Sequence, residues 1–187
     1  MTKPADTRAD AAGSILAAVR EIAPRGPAPV HLWNPPFCGD LDMEIRADGT
    51  WFYMGTPIGR PAMVRLFATV LKLEEGRYYL VTPVEKVGIR VEDAPFVAVD
   101  VDVADQDGAG SLVFTTNVGE VVEAGPENAI RVAIAPDGTP RPYLHVRRGL
   151  EALIDRKSFY RLAEAARPDA EGRMSVRGRG AVFALEA

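Results

Sequence analysis

Apolar and polar positions change period several times along the chain, and each change marks an element. Ile15, Leu16, Val19 and Ile22 recur at helical spacing in ADAAGSILAAVREIA and predict an amphipathic helix whose apolar stripe must be covered. The period then drops to two: Leu41, Met43 and Ile45 alternate with Asp42, Glu44 and Arg46, so one strand face is buried and the other is wet. Asp48-Gly49 favours a tight hairpin turn into WFY. Pro61 suits a first helical turn, where its missing amide is not needed. Met63, Val64, Phe67, Val70 and Leu71 follow at the helical period, which predicts a helix ending near Glu75-Gly76.

Strands are predicted next at RYYLVT, VEKVGIRV and FVAVDVDV, then a hairpin in SLVFTTNVGEVVEA turning at Asn117 to Gly119. IRVAIAPDGTPRPYLHV repeats the theme of two strands around Asp-Gly. GLEALIDRKSFYRLAEAA reads as helical with a break near Asp155, and RMSVRGRGAVFALE supplies the final strands. Between the first helix and the first strand, PRGPAPVHLWNPPFCGD is dominated by prolines, which fix backbone angles and remove donors. His31, Leu32, Trp33 and Phe37 give that loop side chains with which to anchor.

The chain echoes itself. IGRPAMVRL at Ile58 is matched by IDRKSFYRL at Ile154, and EGR at Glu75 by EGR at Glu171, both at an offset of 96 (154 less 58, 171 less 75). DGT at Asp48 returns at Asp137, at the shorter offset of 89 (137 less 48), and RRGLEAL accounts for the difference. The order of the matches and their shared strand-strand-helix-strand setting imply an internal duplication. The copies run from about Gly39 to Glu92 and from about Ala129 to Ala187. The expected fold is therefore α+β and mostly antiparallel, with two small related halves packed together. Residues 1–38 form an N-terminal helix and Pro-rich loop, 39–94 the first repeat, and 95–187 a connecting hairpin plus the second repeat.

Four stretches carry a resemblance to a known family: CGDLDMEIRADGTWFYMGTPIGRPAMVRLFATVL, YYLVTPVEKVGIRVEDAPF, FTTNVGE and YLHVRRGLEALIDRKSFYRLAE. Together they resemble the proteobacterial domain-of-unknown-function 1285 family, over nearly everything from Trp33 to Glu164. The resemblance implies a fold of repeated α+β motifs and a role in signal transduction. It implies no catalytic residues.

Composition narrows the function classes. With 187 residues and 47% hydrophobic positions there is apolar material for a proper core. A formal net charge of -4 argues against affinity built on phosphate-backbone electrostatics, hence against nucleic acid. The only cysteine, Cys38, excludes an intrachain disulfide framework and a multi-cysteine zinc site, and fits a reducing, cytoplasmic setting. No apolar run approaches the roughly 20 residues that cross a bilayer. The acidic alternation VDVDVADQD, with Asp100, Asp102, Asp105 and Asp107, lacks the glycine and closing glutamate of a calcium loop and reads as a wet strand face. No metal and no cofactor are expected.

Arg60 and Arg156 fall at equivalent helix starts, where the macrodipole disfavours a cation unless an anion compensates it. They could grip phosphate or carboxylate, with His145 as a neighbour, in a groove between the repeats. The plainer reading pairs them with Asp40, Asp42 or Glu44 on the adjoining hairpin. Arg65 and Arg161, further along the helices, suit solvated or interface faces. The expected function is a binding or regulatory module for a small anionic ligand or an acidic protein segment. The alternative is a cysteine hydrolase or transferase using Cys38 with His31 and Asp40, the residue types thiolate catalysis needs. RGRG at Arg177 is a single basic repeat in an acidic chain, too little for RNA binding.

Overall fold

Thr7–Ile22 form the first helix, α1, in which Ile15 and Val19 are fully buried, as their stripe demands. The structure, a computed structural model, describes residues 7–22, 26–104 and 108–186. The Ile22 side chain, the fourth member of the stripe, lies outside the described residues. By its internal contacts the chain divides into two compact units, Met1–Asp93 and Ala94–Ala187.

In the first unit, β1 (Phe37–Ile45), β2 (Trp51–Tyr53) and β3 (Thr56–Pro57) make one meander. Helix α2 (Pro61–Thr69) follows, and β4 (Leu71–Glu74), β5 (Arg77–Val81) and β6 (Lys86–Val91) make a second. Parallel pairing of β1 with β6 joins them into one sheet of order β3-β2-β1-β6-β5-β4. Leu41, Met43 and Ile45 are buried as the alternation predicts. Trp51, opposite Ile45, stacks on Phe67 of α2 with ring centroids 6.2 Å apart, and α1 packs on α2 and β1.

Helix α2 stops at Thr69, six residues short of the expected end near Glu75. The run Leu71-Lys72-Leu73-Glu74 also has period two, and as a strand it bonds along β5, with Leu71 against Leu80 and Glu74 against Arg77. Glu75 and Gly76, with φ of 50° and 77°, supply the two-residue turn that this pairing needs.

The second unit opens with β7 (Phe96–Ala104), β8 (Ser111–Thr116) and β9 (Val121–Glu123), then β10 (Ile130–Ile134), β11 (Pro140–Arg147) and β12 (Leu150–Ile154). Its sheet order, β10-β11-β12-β7-β8-β9, is the first unit's scheme again: two meanders joined by parallel pairing of the first strand with the last, here β7 with β12. Helix α3 (Arg156–Ala165) follows. A separate three-stranded sheet of β13 (Arg167–Pro168), β14 (Met174–Gly178) and β15 (Ala181–Ala184) closes the chain.

Leu150–Ile154, expected as the front of a helix, is strand β12. Leu150, Ala152 and Ile154 are buried at period two, and Glu151 on the other face takes a two-point bond from Arg131 at 2.7 and 2.6 Å. The helix begins only where Asp155 caps it, accepting the Ser158 N–H at 2.8 Å.

In chain order each echo sits in a meander, a helix and a second meander: β1–β3, α2, β4–β6, and β10–β12, α3, β13–β15. The two DGT turns are the same object. Asp48 and Asp137 each accept the N–H two residues on, at 2.8 and 2.9 Å, and Gly49 and Gly138 have φ of 84° and 83°. The EGR echo differs: the first lies in the two-residue turn, the second in a longer loop closed between Asp169 and Arg173. By strand order, the sheet that corresponds to β1–β6 is β7–β12, not β10–β15. The architecture is α+β with mostly antiparallel strands.

Candidate functional site

Ser175 and Arg177 alternate along strand β14 and share a face of the small sheet, and Arg173, just before the strand, lines the same cleft. Cross-strand pairing adds Arg167 beside Ser175 on β13, and Val182 and Ala184 opposite Arg177 and Ser175 on β15. That face forms one wall of a cleft of about 670 Å³ within the second unit. Val103, Gly110 and Leu112 of the β7–β8 hairpin contribute to the other wall. Val103 and Val182 are large apolar residues left 41% and 48% exposed, so part of the cleft is uncovered hydrocarbon.

The hairpin is held against the sheet by backbone. Arg179 and Gly180 donate their N–H groups to Gly110 and Ala109 carbonyls at 3.1 and 3.0 Å. Gly110 has φ of 70°, and a β-carbon there would run into the Arg177 carbonyl. Position 110 thus needs glycine twice over, for its backbone angle and for the close approach.

The three arginines differ in what holds them. Arg167 donates from Nη1 to the carbonyls of Ala166 at 2.7 Å and Glu164 at 3.4 Å, at the end of α3 where a cation complements the helix dipole. Arg173 grips Asp169 at 3.0 and 3.1 Å and Glu171 at 3.2 Å. Burial pushes the Asp169 carboxyl up, but hydrogen bonds from the Arg173 and Glu171 backbones and the Arg173 guanidinium more than offset it, leaving it below its usual value. The Arg177 side chain is exposed and has no hydrogen bond or ion pair among the described residues. Arg173 with Asp169 and Glu171 carries one net negative charge, which leaves Arg167 and Arg177 as the cationic groups the cleft presents.

Arg60 is the N-cap residue of α2, without a side-chain capping bond, and Arg156 is the first residue of α3. Both side chains are exposed and carry no hydrogen bond or ion pair among the described residues. They lie in different units. The carboxylates offered to them in the plainer reading are engaged elsewhere, on the exposed face of the first sheet. Arg77 bonds Asp40 at 2.9 Å, and Arg90 bonds Asp42 at 3.0 Å and Glu44 at 3.4 Å. His145 uses both ring nitrogens locally: Nδ1 meets the Glu127 carbonyl at 2.8 Å and Nε2 accepts the Gly149 N–H at 3.0 Å. That pattern places the proton on Nδ1 and makes the ring a clasp for the β11–β12 turn. Arg161 anchors α3 to β7 through Asp100 at 2.5 Å and the Val101 carbonyl at 3.0 Å.

Cys38 donates its thiol to the Pro36 carbonyl at 3.4 Å, while Asp40 is held by Arg77. Sulfur and carboxylate are thus directed to other partners. Asp105 and Asp107 lie outside the described residues, and among the described residues no three histidines, cysteines or carboxylates gather as a metal site. No described helix is long and apolar enough to cross a membrane.

Two family models match the chain: "Domain of unknown function (DUF1285), N-terminal domain" over residues 28–94 and "Protein of unknown function (DUF1285), C-terminal domain" over 95–185. The chain belongs to the DUF1285 family. A crystal structure of a DUF1285 family protein from Silicibacter pomeroyi DSS-3 is 61% identical, with a TM-score of 0.86 over 92% of this chain and 94% of that one. A DUF1285 family protein from Shewanella baltica OS155 is 31% identical, with a TM-score of 0.53 over 66% of this chain and 91% of that one. A search of the curated proteins finds no match. The boundary between the DUF1285 models, at 94 and 95, lies one residue from the division between the two units.

The arginine cleft was not singled out in the sequence. The signals in the sequence are the period-two run Arg173-x-Ser175-x-Arg177, which predicts a strand, and the single basic repeat RGRG at Arg177.

Proposed function

We propose that this DUF1285 protein is a binding module that takes an anion in the arginine cleft of its second unit. The observation that carries the reading is the Arg177 side chain: exposed, without a partner among the described residues, and on the strand face it shares with Ser175, beside which Arg167 stands on the neighbouring strand. Guanidinium groups present several N–H donors in a fixed plane and suit carboxylate and phosphate. Ligand occupancy would then be what the module reports in a cytoplasmic signalling role. The equal DGT turns and the repeated meander-helix-meander order support descent of its halves from one duplicated motif.

A second reading puts an anion at Arg60 or at Arg156, each within its own unit, favoured by side chains without partners among the described residues at helix starts. Thermal denaturation with inorganic phosphate or citrate, against chloride at matched ionic strength, separates the two. Ligand at a hundred times its dissociation constant stabilises by about 2.7 kcal/mol. The expected result is a saturable rise in Tm that persists in Arg60→Gln and Arg156→Gln and disappears in Arg177→Gln. A rise that survives Arg177→Gln, or no rise in any protein, overturns the cleft as the site.

A further inference from the structure

The cleft carries two chemistries, and a bare anion would satisfy only one. Arg167 and Arg177 stand on the small sheet. Val182 lies directly across from Arg177, and Val103 and Leu112, themselves cross-strand partners, face them from the hairpin. Exposed valines within a concavity are where a ligand's hydrocarbon gains most from leaving water. A volume near 670 Å³ is in the range that holds a drug-sized molecule, well beyond a phosphate or an acetate.

We propose that the occupant is an amphipathic anion: one carboxylate or phosphate head bonded by Arg167 and Arg177, carrying an aliphatic or aromatic body laid along the exposed Val103 and Val182, with buried Leu112 beneath. This rests on the anion reading of the cleft and adds the class of ligand. Fully burying one methylene strengthens binding by up to about fourfold. In a cleft open on one side, roughly half that free energy is gained, so about twofold per methylene is expected.

The test is calorimetric titration of the intact chain with acetate, butanoate, hexanoate, octanoate, octan-1-ol and inorganic phosphate. Kd is expected to fall about twofold per methylene from butanoate to octanoate, with octan-1-ol at least tenfold weaker than octanoate. Arg177→Gln should remove the difference between octanoate and octan-1-ol. Val182→Asn should flatten the dependence on chain length while leaving phosphate binding intact. Both positions are exposed, and an unchanged circular dichroism spectrum and Tm establish that the variants fold. If acetate, phosphate and octanoate bind equally and all depend on Arg177, the amphipathic proposal falls and the anion site stands. If no anion binds, or octanoate binding is unchanged in both variants, the anion reading falls with it.

Discussion

Asp48 and Asp137 show how much one residue can specify. Each turns a hairpin by accepting the backbone N–H of a threonine two positions on, and that bond, with the threonine hydroxyl adding to it, holds each carboxyl below its usual value. A carboxylate with a depressed native pKa contributes stability that is fully present above its unfolded value, near 3.9, and is lost as pH falls through the native value. The double variant Asp48→Asn, Asp137→Asn keeps the side-chain acceptor and removes the titration. Its stability, followed by denaturant titration at pH steps from 5 to 2, should therefore fall less steeply below about pH 4 than that of the natural chain. Parallel curves would show that these turns do not contribute to the acid limb. The same two residues were legible as turns in the sequence, because Asp-Gly reports local backbone geometry. Arg177 was not, because what distinguishes it is the position of residues that lie far away in the chain.

Elements whose period was unambiguous formed as their pattern predicts: β1 with its buried Leu41, Met43 and Ile45, and α1 with Ile15 and Val19. The two misread stretches share a cause. Leu71–Glu74 and Leu150–Ile154 adjoin true helices and are rich in leucine, which suits a helix, yet each also alternates. Non-local pairing with β5, and with β7 and β11, decided between the two periods. The cleft depends on another such contact, the seating of the β7–β8 hairpin tip on the β14–β15 turn. Gly110→Ala adds a β-carbon where φ is 70° and the Arg177 carbonyl stands close. It should cost on the order of 2 kcal/mol, within the range for a strained backbone position, and weaken anion binding as the two walls separate. Chemical denaturation and phosphate-dependent Tm measure the two effects; a variant as stable as the natural chain would mean that the hairpin is not pinned there.

At the scale of the whole molecule, one six-stranded scheme is used in both units, and the second unit adds α3 and a small sheet that has no hydrogen-bonded counterpart in the first. The sequence echo aligns that small sheet with β4–β6, which in the first unit are part of the main sheet. Strands freed from the main sheet can make a second wall, and it is between that wall and the β7–β8 hairpin that the cleft lies. Periodicity and repeats exposed the strands and helices of this arrangement. They could not expose the cleft, whose walls come from strands about seventy residues apart, brought together by tertiary packing. On the proposed function, an anion binds in this cleft and not at the helix starts. The most direct test is nuclear magnetic resonance of the arginine side-chain Nε–H groups, assigned by substitution, during titration of the intact chain with octanoate. Saturable shifts are expected at Arg167 and Arg177, with Arg60 and Arg156 unmoved; shifts confined to Arg60 and Arg156, or none at Arg167 and Arg177, would rule the cleft out as the anion site.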